Sequence, residues 1–556
     1  MKFSNLLVFV ILSISVSSVY GQWNSNTAIN TSVCVAVKTQ QNTHSVPDKK
    51  NGVIIGWDDN RNNTTGSTDI YTQRLNSDGI AKWTTNGVVV CADTNTQRSV
   101  AIVEDGNGGV ILTWEDNRSG NYDIYAQKVD SNGVPQWTTN GVVITNGLNN
   151  QKRPQIVNDN AGGAIIVWED SVNSYFDIYA QRINTAGTVV WTTNGIPICT
   201  ALNNQNNPRL DFDGLGGAII TWQDRRNSVD YDIYAQRVDG AGTQLWTIDG
   251  IVVCNAANTQ SNPRIEPDGS NGAIIAWTDK RTSIDYDIYA QRLSSVGGNL
   301  WTANGIAVCN SFYNQSALDM KYLGSNGVAI SWKDLRNAST FDIYAQIISL
   351  AGTNVMAANG VKISNGLKSL NPNNITDGSG GVIIAWEDSS AIGKDIKSQK
   401  INSAGVLQWS TGGVVVSNPL DDQINVTQVS DGNGGAIFVW DDHRNTTDYD
   451  IFAQHLYYDG NSVIGIRDLL GNISSGAIFY PNPACNSATL KLSDKQLADF
   501  KISIYNSFGE LVMEEERQNT NSFNLQFNGF NAGIYHYTIF AKEKNTTFTG
   551  TFILEK

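Results

Sequence analysis

The chain has 556 residues, with 52 Asp and Glu against 38 Lys and Arg and a formal net charge of −14. That balance argues against nucleic acid and anionic membrane as partners and suits a soluble protein outside the cell. A chain of this length would ordinarily suggest three or four domains, but an internal repeat overrides that expectation.

Residues 1–21 carry a Lys near the start, the apolar run LLVFVILSISV and small residues before Gly21. This pattern predicts a secretory signal peptide cleaved before Gln22. The run is too short and too early for a stable membrane span, and no other segment qualifies.

Residues 22–458 are built on one unit, GGVILTWEDNRSGNYDIYAQKVDSNGVPQWTTNG at 108–141. Its first Trp recurs at 57, 114, 168, 222, 277, 332, 386 and 440, and an Asp stands two residues after each. A second Asp opens a D-I-[YFK] segment in every copy, from Asp69 to Asp450, and a Gln follows it four residues on, from Gln73 to Gln454. Nothing in the unit has a helical period. GGVILTW is a short apolar run behind a Gly turn, the mark of a strand buried on both faces. DIYAQKV alternates between turn signals, GVVI after WTTNG is a third strand, and the stretch before the Gly pair is a fourth. Four antiparallel strands per unit describe one propeller blade.

A second Trp slot is filled at 83, 137, 191, 246, 301 and 409, with Met356 in the sixth unit. The eighth unit lacks this strand, and QWNSNTAINTSVCVAV at the N-terminus matches it in register, with Trp23 in the slot. The predicted fold is therefore all-β: an eight-bladed propeller closed by the N-terminal strand, which leaves no long unpaired edge. Both Trp slots are expected to be core. Each Trp could bury roughly 150–250 Å², or roughly 4–6 kcal/mol as an upper bound.

Five of the six Cys, at 34, 91, 199, 254 and 309, share one repeat slot. Placed one per blade they lie too far apart to bridge, so they are expected to be unpaired, small, buried side chains. Cys485 has no evident partner. The Asp after Trp occurs in every unit, whereas the Arg two residues later is replaced by Val172 and Ser390 in two. The Asp is therefore expected to accept backbone N–H groups in the turn. The Gln is expected to bond backbone with both ends of its amide. The functional alternative is a ring of carboxylates binding cations or sugars.

Catalytic constellations are sparse. The four His are His44, His443, His455 and His536, and no HExxH, GxSxG, Walker loop or Cys/His metal spacing occurs. The DGNGG turns at 105–109 and 431–435 share the composition of calcium loops but read as hairpin turns. No cofactor is expected, structural calcium being the one alternative. Symmetry breaks at Met356, Ile347, Ser390 and Lys397, and at His443 beside Arg444. His443 and Arg444 are the candidate binding residues of that sector; no catalytic or metal residue is assigned.

Residues 459–475 break the repeat and read as a linker. From 476 onward there is no further Trp, and some seven short strands are expected to form a small Ig-like sandwich.

Two resemblances follow from these motifs. WEDNRSGNYDIYAQKVDSNG resembles the TolB-type (PD40, WD40-like) propeller repeat over about 22–458, although the unit is longer and carries the added W-T-T-N-G strand. It implies a propeller and little about activity. Tyr480, Pro481, Asn482 and Pro483, then Gly509 in ISIYNSFGELV, then Gly533 and Tyr535 in FNAGIYHYTI resemble the C-terminal sorting domain of the type IX (Por) secretion system of Bacteroidetes. That resemblance implies export by the type IX machinery to the cell surface or beyond. The sequence favours a secreted or cell-surface binding or adhesion module for an extracellular glycan or protein. The alternative is an extracellular hydrolase or lyase acting on polysaccharide or peptide.

Overall fold

The computed structural model describes residues 23–462, except 63–66, 173, 174, 367 and 391, and 477–554 with several short gaps. The predicted signal peptide, most of the predicted linker, and Pro481, Asn482, Pro483, Cys485 and Gly509 lie outside the described residues. The chain divides into two compact units, Met1–Val463 and Ile464–Lys556.

The first unit contains eight four-stranded antiparallel sheets, the arrangement that fits an eight-bladed propeller. Sheet 1 comprises Gln40–Pro47, Val53–Asp59, Asp69–Leu75 and Val88–Cys91, in that order. Sheets 2 to 7 repeat this pattern. Sheet 8 takes Gln423–Ser430, Ala436–Asp442 and Asp450–Leu456, and its fourth strand is Thr31–Cys34. Thr31 lies opposite Ala453, Ser32 opposite Phe452 and Cys34 opposite Ile451. Each first strand lies beside the first strand of the next sheet, and that of sheet 8 lies beside that of sheet 1.

The second strands are buried on both faces, as their unbroken apolar sequence requires. Ile54 packs with Leu112 and Trp114 of sheet 2. Ile55 and Trp57 turn the other way, onto Ile437 and Val439 of sheet 8. All eight first-slot Trps are fully buried. In the second slot Trp137 is partly buried and the other six Trps are buried. Gly141, at φ 89°, closes over its Trp: a Cβ there would stand 2.5 Å from Trp114 Cη2.

The hairpins between first and second strands are held by an Asp. Asp48 Oδ1 accepts the N–H groups of Lys50 and Gly52, both at 2.7 Å, while Oδ2 takes Arg74 Nε at 2.9 Å. The same Asp-to-third-strand cation pair recurs with Asp105 and Lys128, and in sheet 8 His455 Nε2 takes the cation's place, 2.9 Å from Asp431 Oδ2. In sheet 6 both partners change together. Leu323 and Ile347 replace the Asp and the cation, and both are buried in one apolar cluster.

The second unit has two sheets. Ala477–Tyr480, Ser487–Leu492 and Ser522–Gln526 form one. Leu511–Gln518, Asp499–Tyr505, Gly533–Ala541 and Thr546–Leu554 form the other. Leu490 and Leu525 from the first share a core with Ile502, Ile539 and Phe552 from the second.

Candidate functional site

The recurring polar residues turn inward on the scaffold. Asp116 Oδ2 accepts the indole N–H of Trp114 at 2.8 Å. Its Oδ1 accepts the backbone N–H of Arg118 at 3.0 Å and Arg118 Nε at 2.8 Å. The same guanidinium donates to Cys91 Sγ at 3.1 Å and to the Asn140 carbonyl at 2.8 Å, and it lies 4.0 Å over the Tyr125 ring. Cys91 and Asn140 belong to neighbouring sheets, so one side chain ties two sheets together. The expected backbone bond to the Asp is present, and the indole and the guanidinium share the same carboxylate. Gln127 behaves as expected: Nε2 donates to the Thr138 carbonyl at 2.8 Å, and Oε1 accepts the N–H groups of Lys128 and Trp137. Burial pushes the Cys34, Cys91, Cys254 and Cys309 thiols up to about 12, and all five described cysteines are free.

The broken positions are compensated in place. Met356 fills the Trp slot, and its N–H bonds Gln346 Oε1 at 2.9 Å. In sheet 7, Lys397 supplies the cation that Ser390 lacks. His443 Nδ1 lies 3.1 Å from Asp421 Oδ2, and its ring is 4.8 Å from that of Tyr449. Arg444 repeats the role of Arg118, with Nε 2.7 Å from Asp442 Oδ1, its guanidinium 3.7 Å over Phe452, and Nη2 3.0 Å from Asn30 Oδ1.

The groups that face open space lie on the first strands. Each first strand bulges two residues in, and the bulged residue is left-handed in every copy: Asn42, Ser99, Arg153, Asn207, Asn262, Ala317, Asn371 and Asn425 have φ of 49–58°. Asn tolerates that region better than other side-chain-bearing residues, which accounts for its presence at five of the eight. The residue between Trp and Asp holds the bulge from the sheet before. Asp441 Oδ2 accepts the N–H of Asn42 at 2.8 Å, Glu115 Oε1 that of Arg153 at 2.8 Å, and Glu169 Oε1 that of Asn207 at 2.7 Å. Asp441 also takes Asn425 Nδ2 from its own sheet at 2.7 Å. Burial raises Asp58 to about 7 and Asp441 to about 6 despite these donors. Thr278 and Lys333 break the series in sheets 5 and 6.

The bulges rim a cavity of about 700 Å³ lined from sheets 1, 2, 3, 4, 7 and 8. Amides and hydroxyls dominate its wall, among them Asn42, Thr43, Gln155, Asn371 and Thr427, together with His44, Arg153, Arg209 and Glu387. Two residues past the bulge the copies cease to agree: the position holds His44, Gln155, Arg209, Arg264, Asp319 and Asn373 in six sheets. Two residues further, sheets 4, 5 and 6 carry Asp211, Glu266 and Lys321 where sheets 1, 2 and 3 carry Val. Lys321 Nζ pairs with Glu266 Oε1 at 2.9 Å, and Arg264 Nε lies 3.9 Å from Asp319 Oδ1. Burial, with Glu266 adding to it, raises Asp211 to about 7. Sequence reasoning missed this site because it compared the Trp and Asp slots and took the first strand as a single stretch. The signal was present: a position that varies in charge inside an otherwise constant unit. Neither His443 nor Arg444 lines the cavity.

In the second unit, Tyr480 ends a strand and Gly533 opens one. Tyr535 is buried, with its hydroxyl on the Asn531 carbonyl at 2.8 Å and its ring 5.5 Å from that of Phe552.

Residues 478–555 match the family model of the secretion system C-terminal sorting domain. None of the curated proteins matches the chain. Solved structures similar to it include an α-L-arabinofuranosidase from Fusarium graminearum, at 10% identity, 66% of this chain, 94% of that one and a TM-score of 0.36. A polysaccharide lyase of family PL25, an ulvan lyase, is 9% identical over 81% of this chain and 98% of that one, with a TM-score of 0.39. A DUF3244 protein from Bacteroides vulgatus with an immunoglobulin-like β-sandwich is 20% identical over 15% of this chain and 88% of that one, with a TM-score of 0.13. Likenesses of this degree carry no argument about activity. Among the described residues no helix is long and apolar enough to cross a membrane. The sorting domain marks the chain for export by the type IX secretion system of Bacteroidetes, to the cell surface or into the medium.

Proposed function

We infer that this exported protein is a binding module: an eight-bladed propeller, closed by Thr31–Cys34, whose first-strand cavity takes a hydroxyl-rich extracellular ligand such as a glycan. The observation that carries this reading is the division of labour among polar groups. The recurring Asp, Arg and Gln are engaged within the scaffold, as at Asp116, Arg118 and Gln127. The amides of the cavity wall border open space and are only partly engaged: Gln155 bonds the Pro154 carbonyl and Asn371 bonds Glu387 through their NH2 groups, and among the described residues their amide oxygens have no partner. Amides donate and accept, as sugar hydroxyls do, so the lining suits such a ligand. Closure is supported by the place of Thr31–Cys34 in sheet 8 and by the bonds from Asn42 to Asp441 and from Gln40 N to the Tyr449 carbonyl at 2.7 Å. The W-E-D and D-I-Y motifs support a TolB-type repeat.

The proposed organisation is a signal peptide at 1–21, the propeller at 22–458, a linker at 459–475 and an Ig-like sorting domain at 476–556. The sorting signal is assigned to Tyr480–Pro483, Gly509, Gly533 and Tyr535. The cavity, rather than His443 and Arg444, is proposed as the binding site.

A glycan and protein array probed with the mature protein tests the reading. Binding to a hydroxylated ligand, weakened by Gln155→Ala and Asn371→Ala, is the expected result. Turnover of a bound polymer, lost on changing His443 or Arg444, would favour the hydrolase or lyase reading instead. Deleting 476–556 is expected to leave the propeller folded and retained in the periplasm.

A further inference from the structure

Cations of the first unit are almost all engaged. In the six units that have it, the Arg after the Trp–Asp pair binds its Asp; the third-strand Arg and Lys bind the hairpin Asp, and Arg153 binds Glu169 at 3.1 Å. Arg209 is different. It lines the cavity, and among the described residues it makes neither a hydrogen bond nor an ion pair. His44, on the same level of the cavity wall, is also without a hydrogen-bond partner. The nearby opposite charges are committed: Asp319 to Arg264 and to the Asn374 N–H, Glu266 to Lys321, and Glu169 to Arg153 and the Asn207 N–H. Asp211, two residues along the strand from Arg209, accepts the Phe212 N–H at 2.7 Å.

The Arg209 guanidinium is partly desolvated by the cavity walls and has no counter-ion there. Burial, with Arg264 adding to it, brings Arg209 down to about 9, which leaves it charged at neutral pH. His44 is exposed to the cavity, and the enclosing walls and then the Arg209 charge hold its imidazole below the ordinary value, which favours the neutral ring with one N–H donor.

We propose that Arg209 and His44 form an anion subsite in this cavity, which takes the carboxylate or sulfate group of an acidic saccharide. The proposal rests on the cavity being the ligand site. An acidic saccharide meets both deficiencies at once: an acceptor pair for the guanidinium fork and an acceptor for the imidazole N–H.

Calorimetry on the mature protein tests it with four probes: an oligogalacturonate, a sulfated galactan oligosaccharide, a neutral galactan oligosaccharide of equal length, and poly-Glu. At least one acidic saccharide is expected to bind about ten- to a hundredfold tighter than the neutral one, the worth of one or two charge-assisted hydrogen bonds. Arg209→Gln is expected to abolish that ratio, His44→Ala to reduce it, and inorganic sulfate to compete with the acidic probe. The carboxylated and sulfated arms tell which anion is preferred. If Arg209→Gln does not fold, as judged by circular dichroism, His44→Ala and the sulfate competition decide. The proposal is overturned if the ratio is near one, if it survives Arg209→Gln, or if poly-Glu binds as tightly as either acidic saccharide. Binding of the neutral probe with no acidic advantage would remove this inference alone. Failure of every saccharide would remove the reading of the cavity as well.

Discussion

Lys397 Nζ lies 2.7 Å from Asp388 Oδ2 in sheet 7, where the usual third-strand Tyr is absent and the usual Arg is Ser390. The two departures are one change. The Asp is buried, and with no Arg beside it the cation has come from the neighbouring strand.

Lys397→Tyr alone should therefore destabilise the protein by about 1–3 kcal/mol, because it leaves a buried carboxylate without a cation. Adding Ser390→Arg should recover most of that loss by rebuilding the arrangement of Arg118 and Tyr125. Chemical denaturation of the two variants checks this, and equal stability of single and double variants would contradict it.

Two glycines with similar backbone angles should respond very differently to Ala. Gly106, at φ 83°, has nothing within 4 Å of a new Cβ, whereas at Gly141, φ 89°, the Cβ would strike Trp114 Cη2. Gly106→Ala should cost about 1 kcal/mol of backbone strain. Gly141→Ala should cost about 3 kcal/mol or more, since the ring cannot retreat from a filled core. Denaturation midpoints of the pair give the comparison.

Stability should fall as pH rises from about 5 to 8. Burial lifts Asp58 and Asp177 to about 7 and Asp441 and Asp450 to about 6, from an ordinary value of 3.8. Each group binds a proton more tightly folded than unfolded. Its contribution is complete below the unfolded value and lost as pH climbs through the folded one. Asp431 is shifted the other way, below the ordinary value, and acts only at the acid end. Calorimetric Tm values at pH 5 and pH 8 should show the lower one at pH 8.

The repeat cysteines should be inert in the folded protein. In a Cys485→Ser background, the native protein at pH 8 should give no reaction with a thiol-disulfide reagent, and five thiols should appear on unfolding. Reaction at native Cys91 would contradict the burial that raises its thiol to about 12.

Much of this architecture was legible because one position answers for eight. Trp57 and its seven equivalents announce themselves by spacing, and the match of Cys34 to the later cysteines put the N-terminal strand beside Asp450–Leu456. Partners across sheets were not legible. That Arg118 would reach Cys91, or that Glu115 would hold the bulge at Arg153, depends on how neighbouring sheets face each other, and spacing within one unit carries no such information. The candidate site escaped for the opposite reason. Repeats draw the eye to what is constant, and Arg209, His44 and Asn373 sit where the copies differ.

The pairing of Thr31 with Ala453 also bears on the order of events during folding. Synthesis delivers Thr31–Cys34 at the start and Asp450–Leu456 only near the end of the repeat region. Until then sheet 8 does not exist. Joining segments some 420 residues apart costs on the order of 5 kcal/mol in chain entropy, offset only once the last core forms. Sheet 8 is therefore expected to form last, from both extremities of the repeat region together.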